Sequence, residues 1–228
     1  MLHRFSTISQ SCRARPGFTF VELVIGMTLT VLVGAALAAF SFAMAQSWTE
    51  SESAQSVHLT ASQASLRVMP VMQNVKFTGL VRPGSSTKPA AVIFWQSDSN
   101  GDNVMQASEL GLLQYLPDSD AIALWQVEFT NLTPSSVRDW INGLNVTMEE
   151  LHDENVPEDF KEMIAQVDPS YTPRTLAAAV TDARFEMRNV DSESQRPCFI
   201  YTLTISRNGS SLVEYGTATL RGATTPDE

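Results

Sequence analysis

Residues 17–45 read GFTFVELVIGMTLTVLVGAALAAFSFAMA, and Glu22 is the only charge among them. From Leu23 to Ala45 the apolar run is about 23 residues, which at ~1.5 Å per helical residue covers the ~30 Å of a bilayer's hydrocarbon core. Arg4, Arg13 and Arg15 precede it, and Glu50 and Glu52 follow it. The positive-inside rule then places the N-terminus in the cytoplasm and the remaining residues across the membrane. Beyond Ala45 the composition turns mixed and polar, so the sequence reads as an anchor followed by one folded head.

A secretory signal peptide is an alternative. Ala43-Met44-Ala45 supplies a small-x-small cleavage site, and the basic leader supplies an n-region. However, the apolar run exceeds the about 7–15 residues of a usual h-region, and Glu22 at its head has no role in that scheme. Cleavage after Ala45 would release a soluble calcium- or ligand-binding protein.

The stretch Gly17-Phe18-Thr19-Phe20-Val21-Glu22-Leu23 resembles the prepilin cleavage and methylation motif, in which a glycine precedes a phenylalanine and a glutamate lies at the fifth mature position. The resemblance is to the type IV pilin-like family. It implies that prepilin peptidase cuts between Gly17 and Phe18 and methylates the new amine of Phe18, leaving the apolar helix on the protein. A carboxylate at the centre of a spanning helix costs on the order of 2.5–3.5 kcal/mol on insertion scales. Glu22 instead falls in the first helical turn, where the helix dipole favours negative charge. The amine exposed by cleavage would lie four residues away, and in the family this glutamate pairs with the amine of a neighbouring subunit during assembly.

The helix is expected to continue past Ala45. No glycine occurs from Gln46 to Val75, and Leu59, Leu66, Met69 and Met72 or Gln73 fall near helical spacing among serines and glutamines. Pro70 is expected to kink or end it. The turn-rich segment Gly79–Pro89 then separates helix from head. Strand-like runs follow at Ala91–Trp95, Leu112–Leu116, Ile122–Phe129, Ala183–Arg188, Phe199–Ser206 and Leu212–Leu220. Asn208-Gly209 signals a hairpin, and Glu149–His152 and Glu158–Val167 are short helical candidates. Strands joined by turns without βα alternation predict an antiparallel sheet. The expected fold is α+β: leader 1–17, membrane or filament-core helix 18–45, helical extension 46–78, and a β-rich periplasmic head over 79–228. The order Leu176–Met187, Pro197–Ile205, Thr217–Arg221 further resembles the J-type minor pseudopilins.

The formal net charge is −10, from 15 basic and 25 acidic residues; without the three leader arginines the balance is 12 against 25, or −13. Such acidity disfavours nucleic acid as a partner. Cys12 lies in the leader and Cys198 far away, so loss of the leader leaves no internal disulfide; Cys198 is expected to be a small buried hydrophobe.

One local motif suggests a cation. Residues 98–109, DSNGDNVMQASE, carry oxygen donors at positions 1, 3, 5 and 12 of the calcium-loop pattern: Asp98, Asn100, Asp102 and Glu109, with the Val104 carbonyl at position 7. Asn103 replaces the usual glycine at position 6, and a strand rather than a helix precedes the loop. Structural calcium is the expectation, against an acidic solvated turn. Catalysis has no support: His58 and His152 are the only histidines beyond the leader, and no phosphate loop, CxxC pair, HExxH or GxSxG motif occurs. The function implied is that of a minor pilin or pseudopilin, a subunit of a type IV pilus or a type II secretion pseudopilus. Its implied partners are other pilins, prepilin peptidase, the inner-membrane assembly platform and membrane lipid.

Overall fold

The computed structural model describes residues 17–98, 101–127, 144–188 and 196–220. It is an α+β structure in which a long N-terminal helix, α1 (Phe20–Gln73), is followed by antiparallel sheets. Contacts divide the chain into two units, Met1–Thr49 and Glu50–Glu228, and α1 crosses the division.

In the first unit, α1 is exposed on every side and carries Val24, Leu29, Leu32, Leu37 and Phe40 in the open. It is long and apolar enough to cross a membrane by length and composition. Thr28, Thr30 and Ser41 return their hydroxyls to carbonyls three or four residues back. Their polar groups are thereby satisfied within the helix, as an apolar solvent requires.

Among the described residues the second unit holds eight strands. Strands β1 (Phe77–Arg82), β2 (Ala91–Trp95), β3 (Leu110–Leu116), β4 (Ala121–Gln126) and β5 (Arg174–Ala178) form one antiparallel sheet in that order. Strands β6 (Val180–Arg188), β7 (Cys198–Arg207) and β8 (Ser210–Thr219) form a second. Two short helices, α2 (Met148–Leu151) and α3 (Val156–Val167), interrupt the first sheet between β4 and β5. The chain changes sheets at Ala179, which holds a left-handed backbone (φ 59°) between β5 and β6.

Side chains alternate across a strand, so β1 to β4 of the first sheet serve two cores. Val92, Phe94, Leu113, Tyr115, Ile122 and Leu124 face a core shared with α1 and the second sheet. Ala91, Ile93, Trp95, Leu110 and Leu112 face a second core closed by Leu151, Phe160 and Ile164 from α2 and α3. Burial on both faces explains why β2 is apolar throughout, with every residue buried.

On α1 the buried stripe is Val57, Ala61, Ala64, Val68, Val71 and Met72, a spacing of three and four residues. This corrects the expected face in part: Met72 is buried and Met69 packs against the core, but Leu59 and Leu66 are exposed and smaller residues make the rest of the seam. Opposite the small side chains of α1, larger ones from the sheets supply the bulk of the core. Tyr201 is the clearest case. Its ring lies over Gly216 of β8, where a methyl group would overlap it. Its hydroxyl donates to Ser65 Oγ on α1 at 2.7 Å.

Other expectations shift at the edges. Helix α1 passes Pro70 and ends three residues later. A strand, β1, occupies part of the stretch expected to be turn, and Gly79 inside it leaves room for Leu151, whose carbonyl oxygen would lie 2.6 Å from an added Cβ. Strand β5 went unseen because its five residues begin with Arg174 and Thr175, which are exposed. Phe129, the end of one expected strand, lies outside the described residues. Cys198 is half-buried at the start of β7 rather than buried.

Ala64 is fully buried in the seam. Ala64→Leu is therefore expected to lower stability by about 1–3 kcal/mol through overpacking, whereas Leu66→Ala on the exposed face should change it by less than ~0.5 kcal/mol. Thermal unfolding of the detergent-solubilised chain checks both.

Candidate functional site

Gly17 and Phe18 lie in non-helical backbone immediately before α1, both exposed. Glu22, in the first turn, is bound to Thr19. Its Oε2 accepts from the Thr19 backbone N–H and from the Thr19 hydroxyl, each at 2.9 Å, while the Glu22 N–H donates to Thr19 Oγ1 at 3.3 Å. This reciprocal arrangement is a capping box, which satisfies donors that the helix start would otherwise leave open. The Thr-x-x-Glu spacing was readable in the sequence. It gives Glu22 an intrahelical partner.

The loop after β2 is held differently. Asp98 Oδ1 accepts from the Gly101 N–H at 2.7 Å and the Asp102 N–H at 3.2 Å, and Oδ2 accepts from the Asn103 N–H at 3.1 Å. Lys76 Nζ stands 3.5 Å from the same Oδ2 and 4.8 Å from the centroid of the Trp95 ring. The Trp95 indole N–H donates to Glu109 Oε2 at 3.0 Å within the second core. Asn103 adopts the left-handed conformation (φ 60°) expected of a residue replacing glycine there. Asp102 Oδ1 accepts from the Val104 N–H at 2.9 Å.

Asp98 and Asp102 are thus neighbours in one turn, whereas Glu109 is buried and turned to Trp95. Asn100 lies outside the described residues. Among the described residues no three His, Cys, Asp or Glu side chains converge closely enough to hold a metal ion. Both Asp98 oxygens and one Glu109 oxygen are committed to protein donors, so this donor set closes the loop with the chain's own N–H groups and Lys76. The indole partner of Glu109 was invisible in the sequence, because it depends on the register that brings Trp95 opposite Leu110.

Burial works against ionisation of Asp98. The Gly101 and Asn103 N–H groups and the Lys76 ammonium outweigh it, and the carboxyl lies below the usual aspartate pKa. In the second core, Trp125 stacks on Tyr171 with centroids 5.8 Å apart. His58 and His152 are both exposed, on α1 and at the end of α2. Compared with family models, curated proteins and solved structures, the chain matches none of them.

Because its folded pKa is depressed, the Asp98 contribution to stability should be complete above the unfolded value of about 3.9 and disappear as pH falls through the lower folded value. In a pH series of thermal unfolding, Asp98→Asn should flatten this acid limb. It should also lower the melting temperature equally in EDTA and in calcium. A loss seen only with calcium would assign the carboxylate to a cation instead. Glu109→Ala should strand the Trp95 N–H and cost about 1–3 kcal/mol.

Proposed function

We propose that the chain is a minor pilin or pseudopilin, a structural subunit of a type IV pilus or a type II secretion pseudopilus. The observation that carries this reading is the order of features along α1. An exposed Gly-Phe pair precedes the helix, an acid sits in its first turn, and an apolar stretch long enough to span a membrane follows. The same helix then buries a small-residue seam in a β-rich head. A helix built this way can belong to a bilayer and to a filament core in turn, since both are apolar surroundings.

In this reading prepilin peptidase cuts between Gly17 and Phe18 and methylates Phe18. Glu22 then registers the subunit against the amine of a neighbour. The capping box supports that role by fixing the carboxylate at the helix start, one turn from the amine. The head resides in the periplasm, and partners are other pilins, the inner-membrane assembly platform and lipid.

Mass spectrometry of the mature N-terminus tests the reading. N-methylated Phe18 is the expected result, while a chain beginning at Gln46 would replace the pilin with a secreted protein. Glu22→Gln separates the two roles of the glutamate. Its amide oxygen can still accept from Thr19, so the helix start survives while the charge is lost. Incorporation into filaments, followed by immunoblotting of sheared fractions, is expected to fall sharply for Glu22→Gln. Wild-type incorporation would leave Glu22 with capping alone.

A further inference from the structure

The α2–α3 side of the first sheet contains an open cavity of about 570 Å³, within the roughly 300–1,000 Å³ typical of ligand pockets. Its floor is apolar, formed by Ile93, Leu110, Val146, Phe160 and Met163. Its rim is acidic, with Glu149, Glu150 and Asp153 on the α2 side and Asp159 on α3. Among the described residues no Lys or Arg lines it. Nearby cations are engaged elsewhere: Lys88 with Glu154 and Arg82 with Glu158, each at 3.1 Å. Among the described residues none of the four rim carboxylates is in an ion pair.

The walls are preformed. The Ala107 N–H donates to the Leu144 carbonyl at 3.0 Å, and the Val146 N–H to the Met105 carbonyl at 2.8 Å, tying one wall to the segment that leads into β3. Thr147 and Glu150 form a capping box that fixes the start of α2. Gly79 lets Leu151 reach down onto β1. A site already shaped loses little ordering entropy on binding.

We propose that this cavity docks a basic segment of a protein partner, one that offers a large apolar side chain flanked by Lys or Arg. The apolar floor takes the side chain, and the rim carboxylates take the flanking cations. Four carboxylates contributed by α2, the turn after it and α3 outnumber the charge of a simple amine, which favours a peptide with more than one positive charge. Unpaired acids around an apolar patch repel one another until a cation arrives, so charge complementarity selects this occupant and makes capture salt-sensitive. The cavity's chemistry is independent of where α1 resides.

The test uses the full chain in a non-ionic detergent and a fluorescein-labelled peptide, Gly-Arg-Leu-Phe-Arg-Gly. Fluorescence anisotropy should show saturable binding that weakens with added salt. The double variant Glu149→Gln/Asp159→Asn should weaken it about tenfold or more, a loss of ~1.4 kcal/mol. Those two acids are chosen because Glu150 caps α2 and Asp153 accepts from the Asn155 N–H. Glu162→Gln, on α3 outside the cavity, should leave binding unchanged, and unaltered melting temperatures confirm that the variants are folded. The proposal is overturned if the double variant binds like wild type or if the peptide with both arginines replaced by glutamate binds equally. It is also overturned if argininamide alone binds as tightly as the peptide.

Discussion

Burial of a small-residue stripe of α1 against large side chains of the two sheets is the constraint on which the head depends. It is made by residues too small to fill a core themselves. Ala61 and Ala64 present little more than backbone, so Phe94, Phe185, Phe199 and Tyr201 can reach across from the sheets. Dispersion and hydrophobic burial both favour this arrangement, because interior contacts are lost steeply with even a small gap. Hydroxyls bridge α1 and the second sheet: Ser53 Oγ lies 2.8 Å from Ser210 Oγ, and the Tyr201 hydroxyl finds Ser65 and avoids the cost of an unpartnered group. Burial holds the Tyr201 pKa above its ordinary value, the Ser65 bond opposes the rise and Glu214 adds to it, so the phenol remains a hydrogen-bond donor at neutral pH.

The five-stranded sheet converts that seam into a second layer. Its strands bury one face against α1 and the other against α2 and α3, so what happens on the acidic side is carried on the reverse of the main core. Arg82 shows how the layers are joined at the edge. Mostly buried, it donates to the Pro89 carbonyl and pairs with Glu158 on α3. A buried cation of this kind requires its partners in place and so favours one docking of the helix.

Much of this was legible in the sequence, because it follows from runs and turns. The apolar stretch after Glu22 announced a helix. β-Branched and aromatic runs announced β2, β7 and β8, and Asn208-Gly209 announced the last hairpin, where both residues adopt positive φ. What escaped was whatever depends on a partner distant in sequence. Leu59 and Leu66 looked like a packing face because leucine is larger than alanine, yet the sheets required small residues on the other side of the helix. The first strand was hidden by Gly79, which reads as a turn but serves a close approach. At the candidate sites, the Asp98–Glu109 spacing suggested a cation cage. The fold also turns Glu109 to Trp95 and closes the Asp98 carboxylate on backbone donors, contacts set by strand register and turn geometry. The Thr19–Glu22 box was local and therefore readable, but the acid's proposed assembly role overshadowed it.

The Tyr201–Ser65 contact joins residues 136 positions apart. During synthesis the helical seam is complete long before the strand that covers it exists. Loop-closure entropy makes such distant pairings late events, and high contact order slows folding. The first sheet, a meander of neighbours, can assemble beforehand. Its core-facing side remains incompletely covered, however, until β6, β7 and β8 arrive. The last strands of the chain therefore act as the clasp of the head. An interrupted or C-terminally shortened chain would present an apolar helix and an apolar sheet face together, the combination that chaperones and proteases recognise as unfinished.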